Sequence, residues 1–383
     1  MKLWPAMVAE RQCVERLWPD RSVNKHIPVD IVTSPCVRCY NDGGMSGCGW
    51  GDVRLRVMRN LLVVLGLIFG TFVTIASAET WSVPDVDKLP MDAFGRTVRA
   101  GRDLIVHTAA TIGPDAADPA MRYSGNGLEC QSCHLDAGSK KFGLPLAGVW
   151  GLFPLFIGRE NEVRTLEERI NGCMERSMNG RALPLDSHEM KAMLAYIRFI
   201  SAGVPTGRGA EGRATPTLPL PAAASDPTHG AQVFADTCAV CHQPDGQGKR
   251  WGPEDAAQRH RYQFPPLWGP DSYNDGAGMA RPITAANFIR ANMPFGVDFE
   301  HPMLSAQDAF DVAVFVDSQQ RPHRQGNEQD YPDRSLKPAD ATFPPFLGPF
   351  PPSQHLTGPW PPIQQWLKDN AHSLRSDIPS PRG

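Results

Sequence analysis

The chain has 383 residues, 41% of them hydrophobic and 21% charged, with 38 Lys and Arg against 41 Asp and Glu and a formal net charge of −3 at pH 7. That acidic balance excludes nucleic acid and anionic membrane surfaces as partners, because both require a basic face. Nine cysteines in such a chain ask for a specific use.

Near the amino terminus, Leu61 to Ala76 is continuously apolar, Arg54, Arg56 and Arg59 precede it, and Ala76-Ser77-Ala78 supplies small residues for cleavage. This layout predicts a signal peptide over residues 58–78, a mature chain from about Glu79 and a periplasmic location; the competing reading is an uncleaved membrane anchor. Residues 1–57 precede a signal that belongs at the very start, so they read as an over-extended, unstructured start. Cys36-Val-Arg-Cys39 falls there, lacks a following histidine and receives no role. The remaining chain carries 29 basic against 35 acidic residues and five cysteines, and no membrane segment is expected in it.

Residues 79–205 form a first unit. Phe94, Val98, Gly101 and Ile105 recur at helical spacing until Gly113-Pro114, and Cys130-Gln-Ser-Cys133-His134 follows. A Cys-x-x-Cys-His string lets two thiols form thioethers to one haem while the histidine becomes the proximal iron ligand. Thr165 with Glu168 makes a capping box, so a helix is expected from Leu166 toward Gly180. On it Arg169, Cys173 and Ser177 are four apart and share one face, with Arg176 a turn from Cys173 and Arg159 just ahead of the helix. Cationic neighbours lower a thiol pKa, which makes Cys173 a candidate iron ligand or nucleophile, and the arginines suit a small dianion. The bland alternative is a buried structural cysteine beside a solvated basic face. The unit closes with a helix capped by Asp186 and Glu189, bearing the apolar stripe Met190, Met193, Leu194, Ile197 and Ile200, and stopped by Gly203 and Pro205.

A linker over 206–227, rich in Pro and Ala from Ala214 to Pro227, leads to a second unit over 228–325. There Gly230 and Phe234 precede Cys238-Ala-Val-Cys241-His242, and a helix from about Ala306 to Ser318 is capped by Ser305 with Asp308. Two complete attachment strings predict two covalently bound haem c groups, against the competing reading of redox dithiols or half zinc sites. Met293, in the stiff loop Asn292-Met293-Pro294-Phe295-Gly296, is the preferred sixth ligand of the second iron; Met279, Met303 and His301 are its rivals. Residues 326–383, rich in Pro and aromatics, are expected to form an extended strap over the domains rather than bundle helices or a loose tail. The fold class is therefore all-α, two class I cytochrome c-like domains in tandem with a Pro-rich C-terminal strap.

From about Phe94 to Trp366 the chain resembles the dihaem thiosulfate dehydrogenases. The likeness is carried by Gly125-Asn126-Gly127-Leu128, His134-Leu135, Thr165-Leu166, Arg169-Ile170-Asn171-Gly172-Cys173, Arg176-Ser177-Met178-Asn179-Gly180, Glu189-Met190, Leu267-Trp268-Gly269-Pro270, Gly276-Ala277-Gly278-Met279, Asn292-Met293-Pro294, Lys337-Pro338 and Gln354-His355. The resemblance implies that Cys173 is both the axial ligand opposite His134 and the catalytic sulfur acceptor, that Arg159, Arg169 and Ser177 line the substrate site, and that Met293 ligates the second iron with His242. It implies oxidation of thiosulfate to tetrathionate with electrons passed to a soluble cytochrome c or similar acceptor. Some members carry a ligating lysine where this chain has Asn292. An electron carrier without catalysis, a tetrathionate reductase and a haem peroxidase remain the other classes; a cysteine-bound first iron argues against the last.

Overall fold

The computed structural model describes residues 82–251 and 260–376. The expected start segment, the signal peptide and Cys36-Val-Arg-Cys39 lie outside the described residues.

Each cytochrome unit is organised by a helix crossing that only glycine permits. In the first, α1 (Ala93–Val106) is capped by Asp92, whose side chain accepts from the Gly95 N–H, and it buries Val98, Gly101, Leu104 and Ile105. A Cβ on Gly101 would stand 2.0 Å from the Ala192 carbonyl oxygen of the closing helix. In the second unit a Cβ on Gly230 would stand 2.0 Å from the Asp311 carbonyl oxygen. Both backbones therefore touch where a side chain is missing, and any larger residue would push the pair apart. Phe94 departs from the expected stripe: it is 51% exposed on the outer face of α1.

Between the attachment string and the closing helix, β1 (Leu155–Ile157) and β2 (Glu162–Arg164) pair antiparallel, Leu155 opposite Arg164. Arg159 lies in their turn. Then comes α2 (Leu166–Arg176), with both halves of its capping box formed: Thr165 N–H donates to Glu168 at 2.8 Å, and Glu168 N–H donates to Thr165 at 3.4 Å. It ends at Arg176, short of Gly180. The closing helix α3 (His188–Ile200) is capped by Ser187, which accepts from the Met190 N–H, and not by Asp186. The serine stands three residues before that N–H, where a capping oxygen must be. Met190, Met193, Ile197 and Ile200 are each at most 1% exposed.

In the second unit, α4 (Pro227–Val233) runs through one wide turn, Phe234–Cys238, into the attachment string. It packs on α6 (Ala306–Asp317), which carries the expected Ser305–Asp308 capping box, and α6 packs in turn on α5 (Pro282–Asn292). Among the described residues no helix is long and apolar enough to cross a membrane.

The C-terminal segment is a strap, but not an extended one throughout. It contains α7 (Pro352–Thr357), α8 (Pro361–Asp369) and α9 (Ala371–Ser376). The prolines that spoke against helix sit in the first turns of α7 and α8, where a missing N–H has no partner to lose. Trp360 and Ile363 are fully buried in one cluster with Phe310, Ala313 and Val314 of α6. The Trp360 indole N–H donates to the His355 carbonyl at 3.0 Å. Such a segment is part of the core rather than a loose tail.

Candidate active site at Cys173

Cys130, Cys133, His134 and Cys173 line one chamber of about 410 Å³, together with Leu128, Glu129, Ser177, Met178, Tyr273 and Met279. Thr108, which opens the short helical turn after α1, accepts the Cys130 N–H at 3.0 Å and donates to its sulfur at 3.3 Å, which fixes the string against it. Burial pushes both Cys130 and Cys133 thiols up to about 12, so each stays a neutral, apolar-seated thiol.

The donor set fits an iron porphyrin. His134 Nδ1 meets the Leu144 carbonyl at 2.5 Å, so it carries the proton and leaves Nε2 as a free lone pair for a metal. His134 and Cys173 line the same chamber, so a nitrogen and a sulfur donor share it. His242 is prepared in the same way, Nδ1 meeting the Pro265 carbonyl at 2.8 Å. Cys238 and Cys241 stand beside it, half-buried, and burial pushes Cys238 up to about 11.

Cys173 and Ser177 have a second aspect. Both also line a wide, solvent-open cleft with Arg159, Arg169 and Arg176. The sulfur is therefore reachable from a haem chamber and from a solvent-connected cleft. Burial alone would push the Cys173 thiol up; the Arg169 guanidinium, and after it the His134 ring, outweigh burial and bring it down to about 6. Arg169 donates to the sulfur at 3.1 Å.

The other arginines are differently placed. Arg176, expected as a cationic neighbour of Cys173, instead makes a two-pronged ion pair with Asp330 at 2.7 and 2.8 Å, and its charge is spent there. Arg159 donates through one nitrogen to the Gly276 carbonyl and to Asp330, both at 2.9 Å, while lining the cleft. Asp330 is 6% exposed and belongs to the C-terminal segment, as do the cleft residues Tyr331 and Leu336. No spacing rule pointed to them, because Asp330 meets Arg176 across 154 residues.

The candidate methionines fall in different places. Met279, a rival ligand for the second iron, lines the first chamber, carried there by the turn after Tyr273. Met293 ends α5, half-buried, with its N–H bonded to the Ile289 carbonyl at 2.8 Å. Its neighbour Asn292 is buried and donates to the Phe142 and Phe288 carbonyls, tying the second unit to the first. Asn126 is a further tie among several, donating to the Ser177 carbonyl at 3.0 Å and to the Ser272 carbonyl at 3.2 Å.

Paired glycine-crossed helices, each leading to an attachment string with a tethered histidine, define a tandem c-type cytochrome, with a thiol shared between the chamber of the first string and an arginine-walled cleft. The family model described as SoxA/TsdA, cytochrome c domain, matches residues 122–206, and the cytochrome c model matches residues 227–320. The thiosulfate dehydrogenase of Stutzerimonas stutzeri (strain A1501) is 40% identical over 247 residues, 64% of this chain and 75% of that protein. That of Allochromatium vinosum is 40% identical over 281 residues, 71% of this chain and 96% of that protein. Among solved structures, the thiosulfate dehydrogenase TsdBA from Marichromatium purpuratum, as isolated, matches at 37% identity and TM-score 0.57, covering 64% of this chain and 50% of that one. This chain belongs to the thiosulfate dehydrogenase family.

Proposed function

We propose that the protein is a periplasmic dihaem enzyme that oxidises two thiosulfate anions to tetrathionate and passes two electrons to a soluble cytochrome c or similar acceptor. The observation that carries this is the position of Cys173, one sulfur opening both to the chamber of the first attachment string and to the arginine-walled cleft. His134 and Cys173 would hold the first iron, and His242 and Met293 the second. Two haem c groups, attached through Cys130 and Cys133 and through Cys238 and Cys241, supply two one-electron acceptors when bound.

The chemistry of the chain's own residues follows from charge. Arg169 holds Cys173 as a thiolate, and it also offers hydrogen bonds to an arriving dianion. A bond between Sγ and the sulfane sulfur of thiosulfate converts two sulfur anions into a cysteine S-thiosulfonate and releases two electrons. The sulfane sulfur of a second thiosulfate then attacks that of the adduct, tetrathionate leaves, and Cys173 is again a thiolate. Arg159 and Arg169 offset the repulsion between the two anions, and Ser177, at the end of α2, donates to a sulfonate oxygen. No proton needs to move at the sulfur in either step.

The test is the Cys173→Gly variant. It should keep both covalent haems, because the thioether cysteines and the Thr165 cap are untouched, while thiosulfate oxidation falls by orders of magnitude. A variant with full turnover, or a wild-type protein without thiosulfate-dependent haem reduction, would leave an electron carrier as the better account.

A further inference from the structure

Tetrathionate bears a sulfonate at each end with two sulfane sulfurs between, so a site that makes it has to hold two anionic groups at separate positions. Arg169 and Ser177 beside Cys173 account for one, and Arg159 adds positive field while the nitrogen it directs at Gly276 and Asp330 is already engaged. The remaining cleft arginines divide by how firmly they are held. Arg159 and Arg176 meet Asp330 at 2.9 and 2.7 Å, and Arg164 meets Glu162 at 2.9 Å and Glu168 at 3.1 Å. These contacts lie at normal hydrogen-bond length and tie down donors on each guanidinium, with Arg159 and Arg176 sharing the one Asp330 carboxylate.

Arg324 differs. Its guanidinium comes only to 3.6 Å from Glu175 and 3.4 Å from the Gln325 carbonyl, its side chain is 25% exposed, and it lines the same cleft from the C-terminal side. Its base is fixed: the Arg324 N–H donates to Asp275 at 2.9 Å. Its Cδ lies 3.1 Å from where a Cβ on Gly276 would be, so the glycine leaves the room through which the stem passes. A guanidinium with an anchored stem and long, poorly directed contacts keeps most of its five donors for a ligand.

We propose that Arg324 forms a second anion subsite, which takes the sulfonate of the thiosulfate that discharges the Cys173 adduct. The inference rests on the reading of Cys173 as sulfur acceptor and adds the place of the second substrate. In that step the bond between the two sulfane sulfurs forms, the bond from Cys173 Sγ to the adduct's sulfane sulfur breaks, and the electron pair leaves on Cys173 as thiolate. No oxidant, reductant or proton is consumed. Glu175 competes with the incoming sulfonate for the same guanidinium.

Haem-loaded, oxidised protein is treated with excess tetrathionate, which places an S-thiosulfonate on Cys173 by the reverse of that step, and intact mass reads the adduct. Discharge is then followed against thiosulfate concentration. Arg324→Gln should raise the half-saturating concentration about tenfold, the worth of one charge-assisted contact. Glu175→Gln should lower it, and decides the matter where Arg324→Gln does not fold. Half-saturation unchanged in both variants overturns the subsite alone. Absence of an adduct on the wild-type protein overturns the reading of Cys173 and the subsite with it.

Discussion

Asp330 sets the electrostatics of the cleft without touching the reactive sulfur. By holding Arg159 and Arg176 it directs their donors away from the reactive sulfur, so that Arg169 is the arginine that polarises Cys173, with the His134 ring adding to it. Arg176 is 7% exposed and Asp330 6%, so neither finds water as a substitute partner. Asp330→Asn takes the carboxylate from two largely buried guanidinium groups and leaves Arg176 only Glu160 at 3.7 Å, and breaking such a buried pair costs about 3–5 kcal/mol. The expected result is a clear drop in melting temperature with both haems retained. A variant that melts with the wild type would show that the cleft tolerates the free charges.

At the scale of elements, the C-terminal strap carries an unusual buried base. Lys337 is 3% exposed, donates to the Phe343 and Pro345 carbonyls at 2.8 and 2.9 Å and lies over the Phe343 ring. Burial holds its pKa down at about 7, against 10.5 for an ordinary lysine. His355, on the same strap, is also held below its ordinary value by burial. A base with a depressed folded pKa binds fewer protons in the native state than in the unfolded one. Stability therefore rises with pH across the window from about 7 to 10.5, and the whole penalty is present below about 7. Lys337→Met should flatten that dependence, gaining on the wild type at about pH 6 relative to about pH 9. Thermal melts at the two pH values read the slope, and parallel slopes would mean that Lys337 stays charged.

At the scale of the molecule, the two units act as one body because each completes the other. Tyr273 and Met279 of the second unit wall the first chamber, and Asn126 and Asn292 bond across the junction. The exported protein is expected to begin near Glu79 and to carry two haems. Its intact mass should equal that processed chain plus both groups; retained residues 61–78, or a single haem, would contradict this.

What the sequence by itself determined is what short-range geometry enforces. Both attachment strings, the capping boxes at Thr165 and Ser305, and the shared face of Arg169, Cys173 and Ser177 follow from spacings of two to four residues, which backbone geometry converts directly into contact. The strap was legible as packed chain from its aromatics, yet its helices were not, because proline in a first turn and proline in a break look alike in composition. Only the tertiary structure decided which arginines of the cleft are spent and which stay available. Arg176 meets Asp330 across 154 residues, and Arg324 reaches the cleft from the end of the second unit. No period or propensity encodes such a meeting, because it depends on where two separately formed elements come to rest against one another.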